Sequence, residues 1–371
     1  MRHFVFLIAI FASLIPDLRA AEPFFKPNDV VALVGGEDMV VAAELGYLET
    51  LIQLALPDHH LKFRSLAREG DTVFEQRRDL NYPTLEAQLE KMGATVVICQ
   101  FGQMESLAGA AVDRIDRADA IDKVAAANAE SAVNPVNKVN EVKEKADATQ
   151  KAKVAEFVAA YEGLIARLTK TQTGPARRLS IIIPPRIGTS GSLYGDHQQQ
   201  GLNHFWNPEF KASQVLYSDA MQELAKRTGA FLMDDSGLEI SDAQIQTDGI
   251  HRTESAHIAT AMNVERHYSL SSKALQAVYR TEVSDAGKKA LPQPALRTLI
   301  TAKNRLWFHY YRPQNWAFLA GDRTNQPSSR DHLDPSKRWF PKELEKFVPL
   351  IDAKDAEIWA LAKKLSAEGG K

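Results

Sequence analysis

The stretch VVALVGGED, residues 30–38, decides the fold of this chain. Its apolar run from Val30 to Val34 is typical of a strand that is buried on both faces of a parallel sheet. Two glycines end the run, and Glu37 and Asp38 follow them as a turn or a helix cap. In open parallel sheets, ligands and catalytic groups collect directly after the strands. We therefore predict a buried first strand with a functional turn behind it.

Strand-like and helix-like segments alternate after that turn. Apolar runs of strand length recur at residues 62–66, 94–101, 179–183 and 230–233. Segments with helical spacing separate them, at residues 46–56, 85–92, 154–168 and 213–227. This alternation predicts an α/β fold, in which helices cover both faces of a parallel sheet in three α/β/α layers.

Two regions depart from the alternation. Residues 110–152 are rich in Ala, Lys, Asp and Val and lack aromatic residues, so we predict an inserted polar helix or a flexible segment. Beyond residue 270 the strand pattern stops, and residues 296–310 and 347–365 have helical spacing. We predict a main domain over residues 21–270 and a helical extension over 271–371. The aromatic run WFHYYRPQNW, residues 307–316, is expected to pack between them rather than to form a sugar platform.

The first twenty residues predict export. A basic start, a short apolar run and small residues up to Ala20 are typical of a secretory signal peptide, and a retained anchor is the alternative. The run is too short to span a bilayer, so no integral membrane segment is expected after cleavage. We therefore predict a periplasmic or extracellular protein.

Composition narrows the classes of partner and cofactor. The net charge is −2 with mixed signs, which predicts no binding of nucleic acid. The single cysteine, Cys99, lies in an apolar run and is expected to be buried without a disulfide. The glycines do not match a nucleotide-binding loop, and the histidines lack metal-ligand spacing, so we predict no cofactor and no metal. The oligomeric state stays open.

The strongest chemical signal is DGIH, residues 248–251. Asp248 is expected to orient the ring of His251, which leaves the other ring nitrogen free to exchange a proton. Three glycine loops, at Gly36, Gly70 and Gly102, follow predicted strands. Because parallel strands end at one edge of a sheet, we expect these loops and the DGIH loop to form one crevice.

With these residues in view, the chain over about residues 30–268 resembles the SGNH, or GDSL-like, hydrolase family, in a divergent exported bacterial branch. GGE at residues 35–37 matches the family's Gly-Asp-Ser block, and Gly70 matches its second glycine. GQM at residues 102–104 matches the Gly-x-Asn block, and DGIH matches Asp-x-x-His. The resemblance implies a flavodoxin-like fold, ester hydrolysis by a Ser-His-Asp triad and an oxyanion contact at Gly70. Gly36 and Gly102 are expected to contact the oxyanion or the substrate.

Two blocks depart from the family pattern. Glu37 stands where the family has its serine, and a carboxylate is the weaker acyl nucleophile. Met104 replaces an asparagine that donates to the oxyanion, and losing one such donor costs about 10²–10³ in rate. We expect Met104 to pack in the core and Gln103 to donate instead. Ser65 and Ser106 lie near the crevice by order along the chain only.

Two hypotheses about function follow. The first is an exported hydrolase acting on esters of carbohydrates or other small extracellular molecules, with His251 as general acid or base, Asp248 as its orienter and Glu37 holding a water. His204, on the loop after the fourth strand, is either a substrate contact or an exposed loop residue. The second hypothesis is an inactive binding protein that keeps the crevice without the chemistry.

Overall fold

The structure is a computed structural model and describes residues 22–76, 78, 81–109, 135–187, 208–240, 244, 251–270 and 294–368. Its centre is a five-stranded parallel sheet with the order β2-β1-β3-β4-β6, and β5 pairs with β7 in a separate two-stranded sheet. This is the strand order 2-1-3-4-5 of flavodoxin-like folds. The strands are β1 (Val30–Gly35), β2 (Lys62–Ser65), β3 (Val96–Gln100), β4 (Arg178–Ile183), β5 (Arg186–Ile187), β6 (Phe231–Asp234) and β7 (Glu239–Ile240).

Helices fill most of the remaining described chain. The first eight are α1 (Glu37–Leu45), α2 (Tyr47–Ala55), α3 (Leu85–Met92), α4 (residues 103–109), α5 (Pro135–Thr169), α6 (Pro208–Thr228), α7 (Glu254–Met262) and α8 (Val264–Tyr268). The last four are α9 (Pro294–Tyr311), α10 (Trp316–Leu319), α11 (Trp339–Glu345) and α12 (Phe347–Glu368), with a 3₁₀ turn at Pro327–Ser329.

The sheet is covered on both faces, as its continuous apolar strands require. Val31 and Leu33 of β1 face a core that includes α1, α2, α7, α8, α9 and α12. Ala32 and Val34, which alternate with them, face a second core that includes α3, α5 and α6. The predicted α/β class with three α/β/α layers is confirmed.

The register brings the carboxyl ends of the central strands together. Gly35, the last residue of β1, pairs with Gln100, the last residue of β3. Ile183, the last residue of β4, pairs with Asp234 at the end of β6. Chain segments that leave these strands therefore start at a common edge, which is where the predicted site belongs.

The C-terminal helices α9 and α12 pack on α2 and on the edge strand β2. Buried ion pairs join them to the sheet layer. The Lys303 ammonium donates to both carboxylate oxygens of Glu49, at 2.6 and 2.8 Å, and the Arg64 guanidinium donates to Asp355. Such pairs need good geometry to offset their desolvation, so they fix the position of the helices.

Several predictions differ from the structure in their boundaries. The helix predicted over residues 154–168 runs from Pro135 to Thr169, so the second half of the polar insert is helical. Helix α1 was not predicted, and the GGE turn leads directly into it. Residues 1–20 and 110–134 lie outside the described residues, so the signal peptide and the first part of the insert stay predictions. Within the described ranges, no helix has the length and apolar character needed to cross a membrane.

Candidate active site

A crevice lies at the carboxyl edge of the sheet, beside the turn between β1 and α1. Close packing of the backbone explains the two glycines of that turn. A Cβ at Gly35 would lie 2.6 Å from the carbonyl oxygen of Gln100, and one at Gly36 would lie 2.8 Å from that of Asp71. Any larger residue would force these segments apart, so the glycines allow the loops after β1, β2 and β3 to meet.

The crevice brings most of the predicted residues together. It is small, with a volume of about 30 Å³. It is lined by Gly36, Glu37, Asp38, Val41, Asp71, Gln100, Phe101, Gly102, Gln103, Met104, Glu105, His251, Arg252 and His257. Gly70, with φ of +80°, precedes Asp71 and is not itself among the lining residues.

Glu37 and His251 form a close acid–base pair at the mouth of the crevice. The Glu37 Oε2 and His251 Nε2 atoms are 3.2 Å apart. Glu37 is the first residue of α1, and His251 lies three residues before α7. The side chains are 43% and 34% exposed, so both remain accessible to water and to a small ligand. The pair therefore joins a proton acceptor and a proton carrier at one open site.

Asp38 and Arg252 form a second pair directly beneath the first. The Arg252 Nε donates to Asp38 Oδ1 at 2.7 Å, and its Nη2 donates to Oδ2. The Arg252 Nη1 donates to Thr260 Oγ1 at 2.8 Å, while the Gln100 amide donates to Asp38 Oδ2 at 2.5 Å. These side chains are almost fully buried, so the pair locks the His251 loop onto the start of α1.

His257 completes the buried layer as a neutral ring. Its Nε2 lies 3.7 Å from Asp38 Oδ1. Burial lowers the pKa of His257 to about 4, against the opposing effect of the Asp38 charge. Burial also acts to raise the pKa of Asp38, but the charge of Arg252, the charge that His257 carries when it is protonated and the donated hydrogen bonds outweigh it and lower that pKa. At neutral pH the layer therefore holds an ionised Asp38, a charged Arg252 and an uncharged His257.

Glu105 occupies the backbone amide of Gly102, which is a predicted oxyanion or substrate contact. The Gly102 N–H donates to Glu105 Oε2 at 2.8 Å, and the Val73 N–H donates to Oε1 at the same distance. Burial raises the pKa of Glu105, although these backbone donors oppose it. The Gly102 amide is thus engaged within the protein, in contrast to the substrate contact that we predict for it.

Several side chains differ from the sequence-based expectations. Met104 is 43% exposed at the crevice, so its predicted place in the core is wrong. It lies at the start of α4, whose first turn faces the crevice rather than a second layer of packing. Ser106 is buried and donates to the Gln103 carbonyl, and Ser65 lies outside the crevice lining. None of the described residues that line the crevice is a serine, threonine or cysteine.

Two predicted site residues, Asp248 and His204, lie outside the described residues. Their roles as orienter of His251 and as substrate contact stay predictions. Sequence reasoning missed Arg252, His257 and Glu105. Polar residues that follow the apolar runs indicated a buried polar layer. A sequence does not show, however, which charged side chain each of these residues contacts.

The backbone is similar to several solved structures at low sequence identity. An aryl esterase of M. smegmatis is 11% identical with a TM-score of 0.40, over 66% of this chain and 100% of that one. A gut microbial diltiazem-metabolizing enzyme is 10% identical with a TM-score of 0.47, over 93% of this chain and 96% of that one. A carbohydrate acetylesterase from Sinorhizobium meliloti is 10% identical with a TM-score of 0.37, over 65% of this chain and 99% of that one.

No protein-family model and no curated protein matches the chain. TM-scores and identities this low carry no argument about the chain. The fold class therefore rests on the strand order, and the function on the chemistry of the crevice.

Proposed function

We propose that the chain is an SGNH-type hydrolase that cleaves small esters by activating a water molecule. The observation that carries this proposal is the Glu37–His251 pair, with 3.2 Å between its oxygen and nitrogen atoms at the carboxyl edge of a flavodoxin-like sheet. Glu37 stands at the family's nucleophile position, and His251 belongs to the matching Asp-x-x-His block. A carboxylate and an imidazole at this distance supply both halves of general acid–base catalysis.

The proposed reaction needs no covalent intermediate. The oxygen of a water held by Glu37 attacks the ester carbonyl carbon, and Glu37 takes one proton from that water. The bond from the carbonyl carbon to the alcohol oxygen breaks, and His251 protonates the leaving oxygen. The products are one acid and one alcohol. Direct proton transfer from Glu37 Oε2 to His251 Nε2 then restores the pair, and Asp248 is the proposed orienter of the ring.

The oxyanion has fewer donors than in the family pattern. Gln103 and Gly36 line the crevice and are the proposed donors, with Gly70 at its border. The Gly102 amide is held by Glu105, and Met104 has no amide to offer. Because each missing donor costs about 10²–10³ in rate, we expect slow turnover.

The proposed substrates are esters with a small acyl group, such as acetylated sugars outside the cytoplasm. The crevice is small, with a volume of about 30 Å³, so an acetyl group suits it better than a long acyl chain. His204 is a proposed contact for the alcohol side of such a substrate.

A screen of 4-nitrophenyl acetate and acetylated sugars against purified protein tests this proposal. We expect hydrolysis that His251→Ala and Glu37→Gln each lower by about 10²-fold or more. His59→Ala is the matched control, since His59 precedes β2 at the opposite end of the strands, and it should retain full activity. Equal rates for wild type and His251→Ala on every ester would refute the proposal.

A second candidate function is ligand binding without turnover. It is favoured by the lack of a hydroxyl or thiol side chain among the described lining residues and by the engaged Gly102 amide. Acetylated sugars would then bind with no product formed, and Glu37→Gln would change affinity alone. Calorimetry run on the same ester panel separates the two functions.

A further inference from the structure

A groove separate from the crevice lies between α1 and α9. Val40, Ala43 and Glu44 of α1 form one wall, and residues of α9 form the other. The groove has a volume of about 650 Å³, within the range of about 300–1,000 Å³ that small-molecule sites occupy. It shares no lining residue with the crevice.

Two buried rings form the floor of the groove, since Trp307 is 8% exposed and Tyr311 is 4% exposed. The Trp307 and Tyr311 rings are nearly parallel, with an interplanar angle of 5° and centroids 6.1 Å apart. The Trp307 Nε1 donates to the Ser65 carbonyl at 2.7 Å, and the Tyr311 hydroxyl donates to the Leu66 carbonyl at 3.2 Å. Both rings are thereby tied to the end of β2, and Phe308 adds a 36% exposed ring beside them. A preformed apolar groove with one exposed ring favours a flat apolar ligand.

The charges of the groove come mainly from α9. Arg312 stacks on Phe308, with its guanidinium carbon 4.8 Å from the ring centroid, and it pairs with Glu69 at 2.7 Å. Arg305 is exposed, and it makes no hydrogen bond or ion pair with any described residue. Glu44 is the one acidic lining residue, and burial followed by the nearby Glu69 charge raises its pKa. The groove therefore offers a free cation beside apolar rings.

We propose that this groove binds a small aromatic carboxylate, with its ring against the exposed ring of Phe308 and its carboxylate at Arg305. Arginine pairs with a carboxylate through two parallel hydrogen bonds, and the Phe308 ring supplies apolar contact area. An uncharged aromatic molecule would lose the arginine contact, and acetate would lose the ring contact. This binding does not depend on hydrolysis in the crevice.

Isothermal titration calorimetry with 2-naphthoate tests the inference on the full-length protein. We expect millimolar or tighter binding, since about 1 mM corresponds to about −4 kcal/mol. The uncharged 2-naphthamide should bind about fivefold more weakly, the effect of one exposed ion pair. Acetate should give no signal. Equal affinity for the acid and the amide, or no binding of 2-naphthoate at about 10 mM, would overturn the proposal.

Variants locate the binding site. Arg305→Glu should weaken 2-naphthoate at least fivefold and leave 2-naphthamide unchanged, whereas Phe308→Ser should weaken both. Lys226→Glu is the matched charge control, because it makes the same charge change on α6, which supplies no described lining residue to the groove or the crevice, and it should leave binding intact. His251→Ala should also leave binding intact. Loss of binding in His251→Ala with full binding in Arg305→Glu would place the ligand in the crevice and refute the groove site.

Discussion

Two acid–base pairs join the same two segments of the chain one residue apart, and they differ in burial. Glu37 pairs with His251 at the crevice mouth, where the side chains are 43% and 34% exposed. Asp38 pairs with Arg252 beneath it, where they are 13% and 2% exposed. Groups that stay in contact with water can exchange protons with a substrate. A buried pair stays together because its separation would leave two unpaired charges out of contact with water. The outer pair is therefore suited to chemistry and the inner pair to position.

The largest expected effect comes from breaking the inner pair. Arg252→Met leaves Asp38 as a buried charge without its main partner, which typically costs about 3–5 kcal/mol. Urea denaturation followed by circular dichroism should show a lower free energy of unfolding by that amount.

Two comparisons control this prediction. Adding Asp38→Asn to Arg252→Met removes the stranded charge and should recover most of the loss. Arg227→Met breaks an exposed pair with Glu162 and should leave the free energy of unfolding nearly unchanged. An Arg252→Met protein as stable as Arg227→Met would show that the inner pair does not hold the site together.

A somewhat smaller effect is expected from pH, through His257. Its pKa is lowered to about 4 in the folded protein and is 6.5 ordinarily, so between these values the unfolded chain binds a proton that the folded site excludes. Stability is therefore lost as pH falls through this window, by about 3 kcal/mol at about 1.4 kcal/mol per pKa unit. The lowered pKa of Asp38 changes the free energy of unfolding only below pH 3.8, which is outside the pH window of His257.

His257→Gln isolates this contribution, because glutamine keeps a polar contact to Asp38 without titrating. Its free energy of unfolding should change less than that of wild type between pH 6.5 and pH 4. Parallel profiles for the two proteins would mean that His257 is not a buried neutral ring.

The smallest effect on stability is expected at the outer pair. Glu37→Gln removes a charge that is 43% exposed, and pairs in contact with water contribute about 0–1 kcal/mol. The midpoint of urea unfolding should stay close to that of wild type, while ester hydrolysis falls. A loss of stability as large as that of Arg252→Met would erase the difference between the two pairs.

The sequence predicted the architecture better than the site. The apolar runs before Gly35 and Gly102 and the helical spacing between them gave the strands, the class and the common edge. Helix α1 was missed because a glycine pair and two acidic residues match a turn as well as a helix start. Met104 was misplaced because hydrophobicity alone does not show which side of a short helix faces a crevice.

The buried layer was harder to predict for a different reason. Asp38 and Arg252 are separated by more than two hundred residues, and no local pattern links them. The outer pair could be predicted only from the strand order and the family resemblance, which place Glu37 and His251 at the same edge of the sheet. Burial then decided which of two adjacent acidic residues faces solvent, and burial depends on tertiary packing.

The most direct test of the account is a double-mutant cycle on ester hydrolysis with Glu37→Gln and His251→Gln. If both side chains act on one water, each single variant lowers kcat/KM by about 10²-fold or more, and the double variant is no slower than the slower single one. The account predicts that result, with the free energy of unfolding nearly unchanged in all three variants. Losses that multiply in the double variant, or singles as active as wild type, would contradict the claim that Glu37 and His251 work as one catalytic pair.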